Sequence, residues 1–528
     1  MKINKIINAA LAFILLFIVS CNMERKPKSV MDADNALLTV SDAEKWGFNQ
    51  MSSFRTKHGS IYNNVQEKQA DMLNASATFG NRGGSPHGWN SFDAQDYDLR
   101  DVWMGYYIPL KNLNYSLPLM EKIAQNTKKE KDVVIMNHVR GNAYFFRAYY
   151  NFCLALRFGT PYAAASADKD LCIPLVLEYN PTGLPKRSTN ATVYDQILNK
   201  DLAKAKELLK DVAGKPMATE ITADALVAFE ARVKLYMSDW NGALAAAEAL
   251  INTNKYPLND ATPEAFQKMW INDYSKEIIQ TTFISKPDEL PNGNSYYGAS
   301  KGSKRGTTPD GKPILTGANT PDWLPPQWVV DLYDDADLRK DVYFEKQITL
   351  YTDNNYELYV IAKAKGNPAY SDEVNNPALK FWEGYLPNGI HAPKIFRISE
   401  MYLIASEAAY NMGDEAKAIK YLQALRNSRG LKKTITVSGA ELYQLIKDER
   451  TRELAYEGFR LWDLRRWGEP MKRHAPQTNA KGESPFLSVR YTTLEMPADH
   501  PKFVWGIPQN DLNTNPNLQG QQTPGWGL

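Results

Sequence analysis

Aromatic side chains in loops rich in glycine and proline are the residues of this chain best suited to contact a ligand. One such loop spans residues 79–90, and a second spans residues 287–328. Indole and phenol rings pack against the flat C–H faces of sugar rings, while carboxylate, amide and guanidinium groups bond directionally to hydroxyls. A single ring more often belongs to a core, but a position in these loops favours exposure. We therefore predict a carbohydrate-binding surface formed by Asp71, Arg82, Trp89, Asn90, Tyr296, Tyr297 and Trp323.

One serine has the spacing of a catalytic nucleophile. The run Gly298-Ala-Ser300-Lys-Gly302 matches the nucleophile elbow of hydrolases, in which a turn between a strand and a helix exposes the serine. No strand-like run immediately precedes it, and residues 302–313 are unsuited to the helix that should follow. The six histidines include no pair at helical ligand spacing, and the chain has no Cys-x-x-Cys. The sequence therefore predicts a protein that is not an enzyme, with no catalytic residue, metal site or cofactor.

Four aspartates could indicate a calcium loop or the carboxylate pair of a glycosidase. A calcium loop needs alternating ligands and a later bidentate glutamate, and a glycosidase needs two carboxylates at a defined separation in a cleft. Arg339 and Lys340 follow directly, so we interpret the four as a solvated turn. These residues are Asp331, Asp334, Asp335 and Asp337.

The charge balance and the cysteine content exclude several classes of protein. The 528 residues include 62 Lys and Arg against 60 Asp and Glu, a net charge of +2 that argues against nucleic acid as a partner. Only three cysteines are present, too few for a disulfide framework or a four-thiolate zinc site. Cys153 lies on an apolar helix face, and we expect it and Cys172 to be buried and free.

The N-terminus has the pattern of a secretory signal. Lys2 and Lys5 precede an apolar run that meets Cys21 through Ile18-Val19-Ser20. The run of about 14 residues is too short to span a bilayer, and its junction resembles the lipobox of bacterial lipoproteins, in which the cysteine is acylated. We predict a signal peptide at 1–20, lipidated Cys21 with its tether over 21–40, and one globular domain over 41–528.

Apolar residues recur every three or four positions through most of the chain, as amphipathic helices require. The run 133–158 is the clearest case, and Gly159 with Pro161 should end that helix. Segment 225–243 recurs 175 residues later as 399–418, with an aspartate in the turn and small residues where the helices cross. This helix–turn–helix echo is typical of tetratricopeptide repeats, in which alanine lets two helices approach closely.

The sequence therefore predicts a mainly α fold, a tetratricopeptide-like solenoid of about four helix pairs, which suffices for a continuous core. We expect the pairs near 103–158, 189–252, 398–429 and 442–467. A few short strands are expected at 277–284, 341–350 and 356–362. Long irregular segments, on the side where a ligand would bind, are expected near 60–100 and 280–393.

Several stretches together resemble the SusD/RagB-like family of nutrient-binding outer-membrane lipoproteins. Two lie in the N-terminal half, at 103–108 and 140–161, and two follow at 394–408 and 450–468. The ending, with Ile507-Pro508 and Pro524-Gly525-Trp526, also looks like that family's C-terminus. The block at 450–468 is the most specific part of the resemblance.

The resemblance implies a non-catalytic lipoprotein on the outer membrane that faces the cell exterior. It implies capture of an oligosaccharide or polysaccharide and its delivery to a partner, a SusC-like TonB-dependent transporter. Surface-displayed members often carry acidic residues just after the lipidated cysteine, whereas residues 22–26 read Asn-Met-Glu-Arg-Lys, so exterior exposure follows from the resemblance alone. The alternative is a tetratricopeptide scaffold on the outer membrane that binds protein or peptide.

The block at 450–468 is dense in arginine and tryptophan, which could indicate a binding motif. Its charges stand at helical neighbours, for example Glu449 with Arg452 and Glu457 with Arg460. We interpret them as pairs within a helix that closes one end of the solenoid. Gly458 should break that helix so that the following residues pack back against it.

Overall fold

Helices form most of the chain that the structure, a computed structural model, describes. The described residues are 37–77, 79, 83–284, 304–307, 313–316, 321–351, 354–363, 391–484 and 494–527. The helices of the N-terminal half are α1 Val40–Thr56, α2 Ile61–Gln69, α3 Gly84–Gly88, α4 Tyr97–Asn126, α5 Glu130–Phe158, α6 Asn190–Asp195, α7 Ala203–Leu208, α8 Ala223–Tyr236, α9 Trp240–Ile251 and α10 Pro263–Ile271. Those that follow are α11 Gln327–Asp331, α12 Lys340–Tyr343, α13 Ile398–Asn411, α14 Glu415–Ser428, α15 Gly439–Glu453, α16 Arg460–Trp467, α17 Gln509–Thr514 and α18 Pro516–Gln519.

The first helix pair contains α4 and α5, the two longest helices. Asp96 begins α4 by accepting hydrogen bonds from the backbone N–H groups of Asp98 and Leu99. Helix α5 ends at Phe158 as predicted, and Gly159 is its C-cap. The predicted pair near 189–252 begins with α6 and α7, which are joined through a π-helical stretch, Gln196–Leu202.

The echo in the sequence corresponds to two matching helix pairs, α8–α9 and α13–α14. Asp239 accepts a hydrogen bond from the N–H of Gly242 and thereby caps α9. Asp414 caps α14 in the same way, through the N–H of Lys417. The small residues predicted at the crossings, Ala243 and Ala418, are fully buried. The mainly α, tetratricopeptide-like architecture predicted from the spacing of apolar residues is therefore confirmed.

Aromatic rings fill much of the core between α1 and α5. Phe54 of α1 stacks on Phe146, with ring centroids 4.6 Å apart, and meets Tyr149 edge to face at 5.1 Å. Part of the aromatic excess of the chain is therefore packing. Cys153 and Cys172 are buried and free, as predicted.

Strands are short and, within the described ranges, form four small sheets. The named strands are β1 Asn74–Ala75, β2 Ile278–Gln280, β3 Lys304–Thr307, β4 Pro313–Thr316, β5 Trp323–Leu324, β6 Phe344–Tyr351, β7 Asn354–Ile361, β8 Phe396–Arg397, β9 Met471–Lys472 and β10 Glu495–Met496. The largest sheet has the order β3-β4-β6-β7, in which only β4 and β6 run parallel. The remaining pairs are antiparallel: β1 with β5, β2 with β8, and β9 with β10.

The block at 450–468 forms a buried ion-pair network that reaches far beyond its own helix. Glu453, at the end of α15, is fully buried and contacts three arginines from other parts of the chain, at 2.6–3.0 Å. Those arginines are Arg339, Arg397 and Arg429. Two pairs lie within a helix as interpreted, Glu449–Arg452 at 2.9 Å and Asp463–Arg466 at 2.8 Å. For the other ion pairs of the block the interpretation is wrong, because they join different helices or distant segments. Arg460 pairs with Asp71, 389 residues away, and not with Glu457.

The acidic turn at 331–337 is only partly solvated. Asp335 is exposed and pairs with Lys340 at 2.7 Å, as a solvated turn would. Asp337 is buried, and Arg339 donates to both of its carboxylate oxygens, at 2.9 and 2.7 Å. The interpretation is therefore wrong for Asp337, because the Arg339 guanidinium is itself buried and Asp337 neutralises it. Among the described helices, none is long and apolar enough to cross a membrane.

Candidate functional site

The structure brings together parts of the two loops from which a ligand surface was predicted. Ala75 in β1 pairs with Trp323 in β5, and the Ser76 backbone N–H donates to the Asp322 carbonyl at 2.9 Å. The segment that contains Asp71 and Trp89 therefore lies beside the segment that contains Trp323. We call the described residues of this region, 71–77, 79, 83–92 and 321–324, the loop face.

Trp89 is part of the core of the loop face and not of its surface. Its side chain is 1% exposed, and its indole N–H donates to the Gln69 carbonyl at 2.8 Å. His500 and Phe503 contact the ring edge to face, at 5.4 and 5.0 Å between centroids. The expected exposure of this ring is wrong, because the C-terminal segment covers it.

Trp323 and Asp71 are buried as well, which also differs from the expectation. Trp323 is 4% exposed and lies between Phe79 and His87, with centroids 5.8 and 4.8 Å from its own. Asp71 is 3% exposed, and the Arg460 guanidinium donates to both of its oxygens, at 2.8 and 2.7 Å. This bidentate pair occupies the carboxylate that was expected to bind sugar hydroxyls.

Asn90 is the predicted side chain that the structure places at the surface. Its side chain is exposed, while its carbonyl and that of Trp89 accept hydrogen bonds from the Lys502 ammonium. Its position is therefore held by the backbone, and its amide is open to solvent. The other predicted residues, Arg82, Tyr296 and Tyr297, and the Ser300 run, lie outside the described residues.

Several exposed aromatic rings were not predicted. Tyr97 is 72% exposed at the first turn of α4, and the Arg100 guanidinium lies 4.9 Å from its ring centroid. The sequence signal for this exposure is that Tyr97 directly follows the helix cap Asp96, because a first helical turn has one side open to solvent. Further exposed rings are Phe48, Tyr179, Tyr274 and Phe283.

A surface groove of about 510 Å³ runs along α4, opposite the 174–185 segment. Its volume is in the range of sites that bind small molecules. Met104 and Ile108 of α4 face Tyr179 and Leu184 of the segment across it, and all four side chains are between 44% and 50% exposed. Exposed apolar side chains in a groove are typical of an interaction surface.

Two family models match the chain without overlapping. A model described as the SusD family matches residues 292–526, and one described as "Starch-binding associating with outer membrane" matches residues 37–235. Together they span most of the chain. A curated relative, SusD-like protein P38 from Formosa agariphila, is 22% identical over 365 residues, which cover 63% of this chain and 68% of that protein.

Solved structures share the fold over nearly the whole chain. A SusD superfamily protein from Bacteroides thetaiotaomicron matches with a TM-score of 0.72 at 21% identity, covering 92% of this chain and all of that one. A putative sugar binding protein from Bacteroides vulgatus matches with a TM-score of 0.70 at 22% identity, covering 93% of this chain and all of that one. The two family models match complementary parts of a chain that has a tetratricopeptide-like helical fold and a duplicated helix pair. The chain therefore belongs to the SusD/RagB-like family.

Proposed function

We propose that this chain is a lipid-anchored glycan-binding protein of the cell surface, which captures an oligosaccharide or polysaccharide and delivers it to a SusC-like TonB-dependent transporter without catalysis. The observation that carries the proposal is the match of two family models, one described as starch-binding and outer-membrane-associated, to complementary halves of the chain. The structural relatives described as sugar-binding proteins support the same ligand class.

We place the ligand contacts on the solvent side of the loop face. Asn90 offers an exposed amide there, and Arg82 lies within the same sequence loop. Tyr296 and Tyr297 are the predicted stacking rings. The buried Trp89, Trp323 and Asp71 have a different role, since they hold the loops that carry these contacts.

The proposed contacts predict weak binding. Two rings that each cover about 40 Å² of sugar contribute about 2 kcal/mol at about 25 cal/mol per Å². Hydrogen bonds from an amide and a guanidinium add roughly 1 kcal/mol or more each. Affinity should therefore be millimolar to high micromolar, which suits capture followed by transfer.

Affinity gel electrophoresis of the mature protein against plant, host and microbial polysaccharides tests the ligand class. We expect at least one polysaccharide to retard the wild type, and the double variant Tyr296→Ala/Tyr297→Ala to migrate freely in the same gel. Tyr274→Ala is the matched control, because it removes an exposed ring outside the loop face and should stay retarded. Free migration of the wild type in every gel would contradict the proposal.

The groove along α4 favours a second candidate, a scaffold that binds protein or peptide. Its exposed apolar side chains suit a polypeptide better than a sugar. This candidate predicts that Met104→Glu abolishes capture of a protein partner and that no glycan binds. Retarded migration on a polysaccharide gel, unchanged by Met104→Glu, would instead favour the glycan-binding function.

A further inference from the structure

A cavity of about 120 Å³ lies where the two halves of the chain meet. The N-terminal half contributes the end of α1, one side of α5 and part of α8, and the C-terminal half contributes residues 391–395 and 456–459. We call it the seam cavity. Its lining includes five cationic side chains and one carboxylate, Glu457.

Three of the five cations are neutralised by carboxylates of the protein. Arg232 donates to both oxygens of Glu400, at 2.8 and 2.7 Å. Lys394 pairs with Asp273 at 2.7 Å. Lys363 pairs with Glu457 at 2.8 Å, so the single carboxylate of the lining is also accounted for.

Lys57 and Arg157 are the two remaining cations, and they carry the positive charge of the seam cavity. Among the described residues, neither forms an ion pair with a carboxylate: Lys57 donates to the Tyr62 hydroxyl at 2.9 Å, and Arg157 donates to the carbonyls of Cys153 and Tyr62. The Arg157 Nε is buried and has no hydrogen-bond partner in the described part of the chain. The Arg157 guanidinium also lies over the rings of Tyr106, Trp462 and Trp505, 5.3–5.9 Å from their centroids. Carbonyls and ring faces therefore offset its charge in part, and no carboxylate neutralises it.

His58 also lines the cavity, close enough to Arg232 and Lys57 for their charges to affect its pKa. Burial, together with the smaller effect of the Arg232 and Lys57 charges, lowers the pKa of His58 to about 3. The imidazole is therefore neutral, so it adds a hydrogen-bonding group without another charge. Cationic and neutral donors around a confined space are the features of an anion site.

The size of the seam cavity limits its occupant. An engineered apolar cavity of about 150 Å³ holds one benzene molecule, so about 120 Å³ holds one small ion or functional group and not an oligosaccharide. The lining is polar and charged, so the occupant must be polar too. Lys57 is only partly buried, so the cavity is open to solvent on that side.

We propose that the seam cavity binds one small oxyanion, a sulfate, a phosphate or the carboxylate of a small acid, between Lys57 and Arg157. This site is distinct from the glycan contacts of the proposed function and does not depend on them. Because its walls come from both halves of the chain, an anion bound there should stabilise the packing of one half on the other. A ligand that binds the folded state alone raises the melting temperature in a saturable way.

Thermal unfolding of the full mature protein, with ionic strength held constant by exchange against chloride, tests the site. Sulfate and phosphate are the probes for free inorganic ions, glucuronate is the probe for an acidic sugar, and glucose is its uncharged counterpart. We expect at least one of the three anions to raise Tm by roughly 3 °C with a saturable dependence. Glucose should have no such effect at the same concentration, which separates this site from the proposed glycan surface.

Three variants make the test specific to the cavity. Lys57→Met should reduce the affinity for the anion at least about tenfold, as expected for loss of a charge-assisted contact. Lys57→Arg should retain the saturable shift. Lys45→Met removes a 72% exposed lysine of the same helix and should behave as the wild type. An equal shift in Lys57→Met and the wild type would overturn the proposal, and so would the absence of any saturable shift.

Discussion

Trp89 and Asn90 are neighbours in the chain with opposite environments. The indole of Trp89 is enclosed by the C-terminal segment, whereas the amide of Asn90 is open to solvent above it. At the residue scale, burial therefore separates the side chains that build the loop face from those that can touch a ligand.

Trp89→Ala should destabilise the protein, and Asn90→Ala should not. Loss of a buried ring typically costs about 3–5 kcal/mol, and the Gln69 carbonyl would also lose its donor. Asn90→Ala should change stability by less than about 0.5 kcal/mol and weaken glycan binding instead. Urea unfolding with a binding measurement on each variant checks both effects. A Trp89→Ala protein with wild-type stability would show that the ring is not part of the core.

Glu67 makes a separate prediction about pH. Burial raises the pKa of Glu67 to about 8, and one of its oxygens has no hydrogen-bond partner among the described residues. The folded-state pKa lies above the ordinary value of 4.5, so the stability that protonated Glu67 contributes is present below pH 4.5 and lost as the pH rises toward 8. Glu67→Gln should therefore gain stability over the wild type by up to roughly 1 kcal/mol per pH unit across this range. Unfolding curves at pH 5 and 8 measure the effect. An equal difference in the free energy of unfolding between the two proteins at both pH values would contradict it.

At the element scale, the matched helix pairs α8–α9 and α13–α14 depend on the same capping contact. Asp239→Ala and Asp414→Ala should each destabilise the protein by about 1 kcal/mol, because each removes the acceptor for a backbone N–H. The controls Asp239→Asn and Asp414→Asn keep an acceptor and should lose little. Denaturant unfolding of the four variants gives the comparison. An effect at one turn only would show that the two turns are not equivalent.

The network around α15 should make the protein sensitive to acid. Burial raises the pKa of Glu449, but ion pairs with Arg339, Arg452 and Arg426 outweigh it and leave the pKa at about 2. A carboxylate with a lowered pKa contributes stability above the ordinary value of 4.5, and this stability is lost as the pH falls toward 2. The loss for Glu449 is about 3 kcal/mol.

Glu453→Gln tests the network directly. It leaves buried arginines without their carboxylate and should cost about 3–5 kcal/mol. Glu441→Gln, at the exposed start of the same helix, should cost less than about 1 kcal/mol. Chemical unfolding at pH 7 compares the two, and similar small losses would mean that the network adds no stability.

The sequence predicted the helices well and the exposure of Trp89, Trp323 and Asp71 poorly, for a physical reason. The spacing of apolar residues and the capping aspartates are local features of the sequence. They therefore suffice to predict the helix at 133–158 and the helix pair that recurs after 175 residues. Whether a loop ring is buried depends on segments far along the chain. Phe503 covers Trp89, and Arg460 pairs with Asp71. Neither contact can be predicted from a local sequence pattern.

Contacts between residues far apart in the sequence hold the two halves of the molecule together. Arg473 donates to the carbonyls of His87 and Ala70, and the Trp505 indole N–H donates to the side chain of Gln69. The N-terminal helices and the C-terminal segment therefore form one packed unit around the loop face. If Cys21 is the proposed anchor, the 16 residues from it to Leu37 can span at most about 50 Å.

The proposed anchor at Cys21 can be tested by mutation. Cys21→Ala should release the protein from the membrane fraction and abolish incorporation of labelled palmitate, because the acylated sulfur is lost. Cys153→Ala removes a buried cysteine of the core and should leave both signals intact. Fractionation of cells that express each variant measures the outcome. Membrane retention of Cys21→Ala with undiminished label would refute the anchor.

Glycan capture without catalysis is the central claim, and one measurement tests it most directly. Isothermal titration of the mature protein with oligosaccharides, followed by mass spectrometry of the recovered ligand, reports binding and turnover together. We expect saturable heat for at least one glycan, a Kd in the millimolar to high micromolar range, and a ligand recovered intact. No heat with any glycan, or a ligand recovered as shorter fragments, would contradict it.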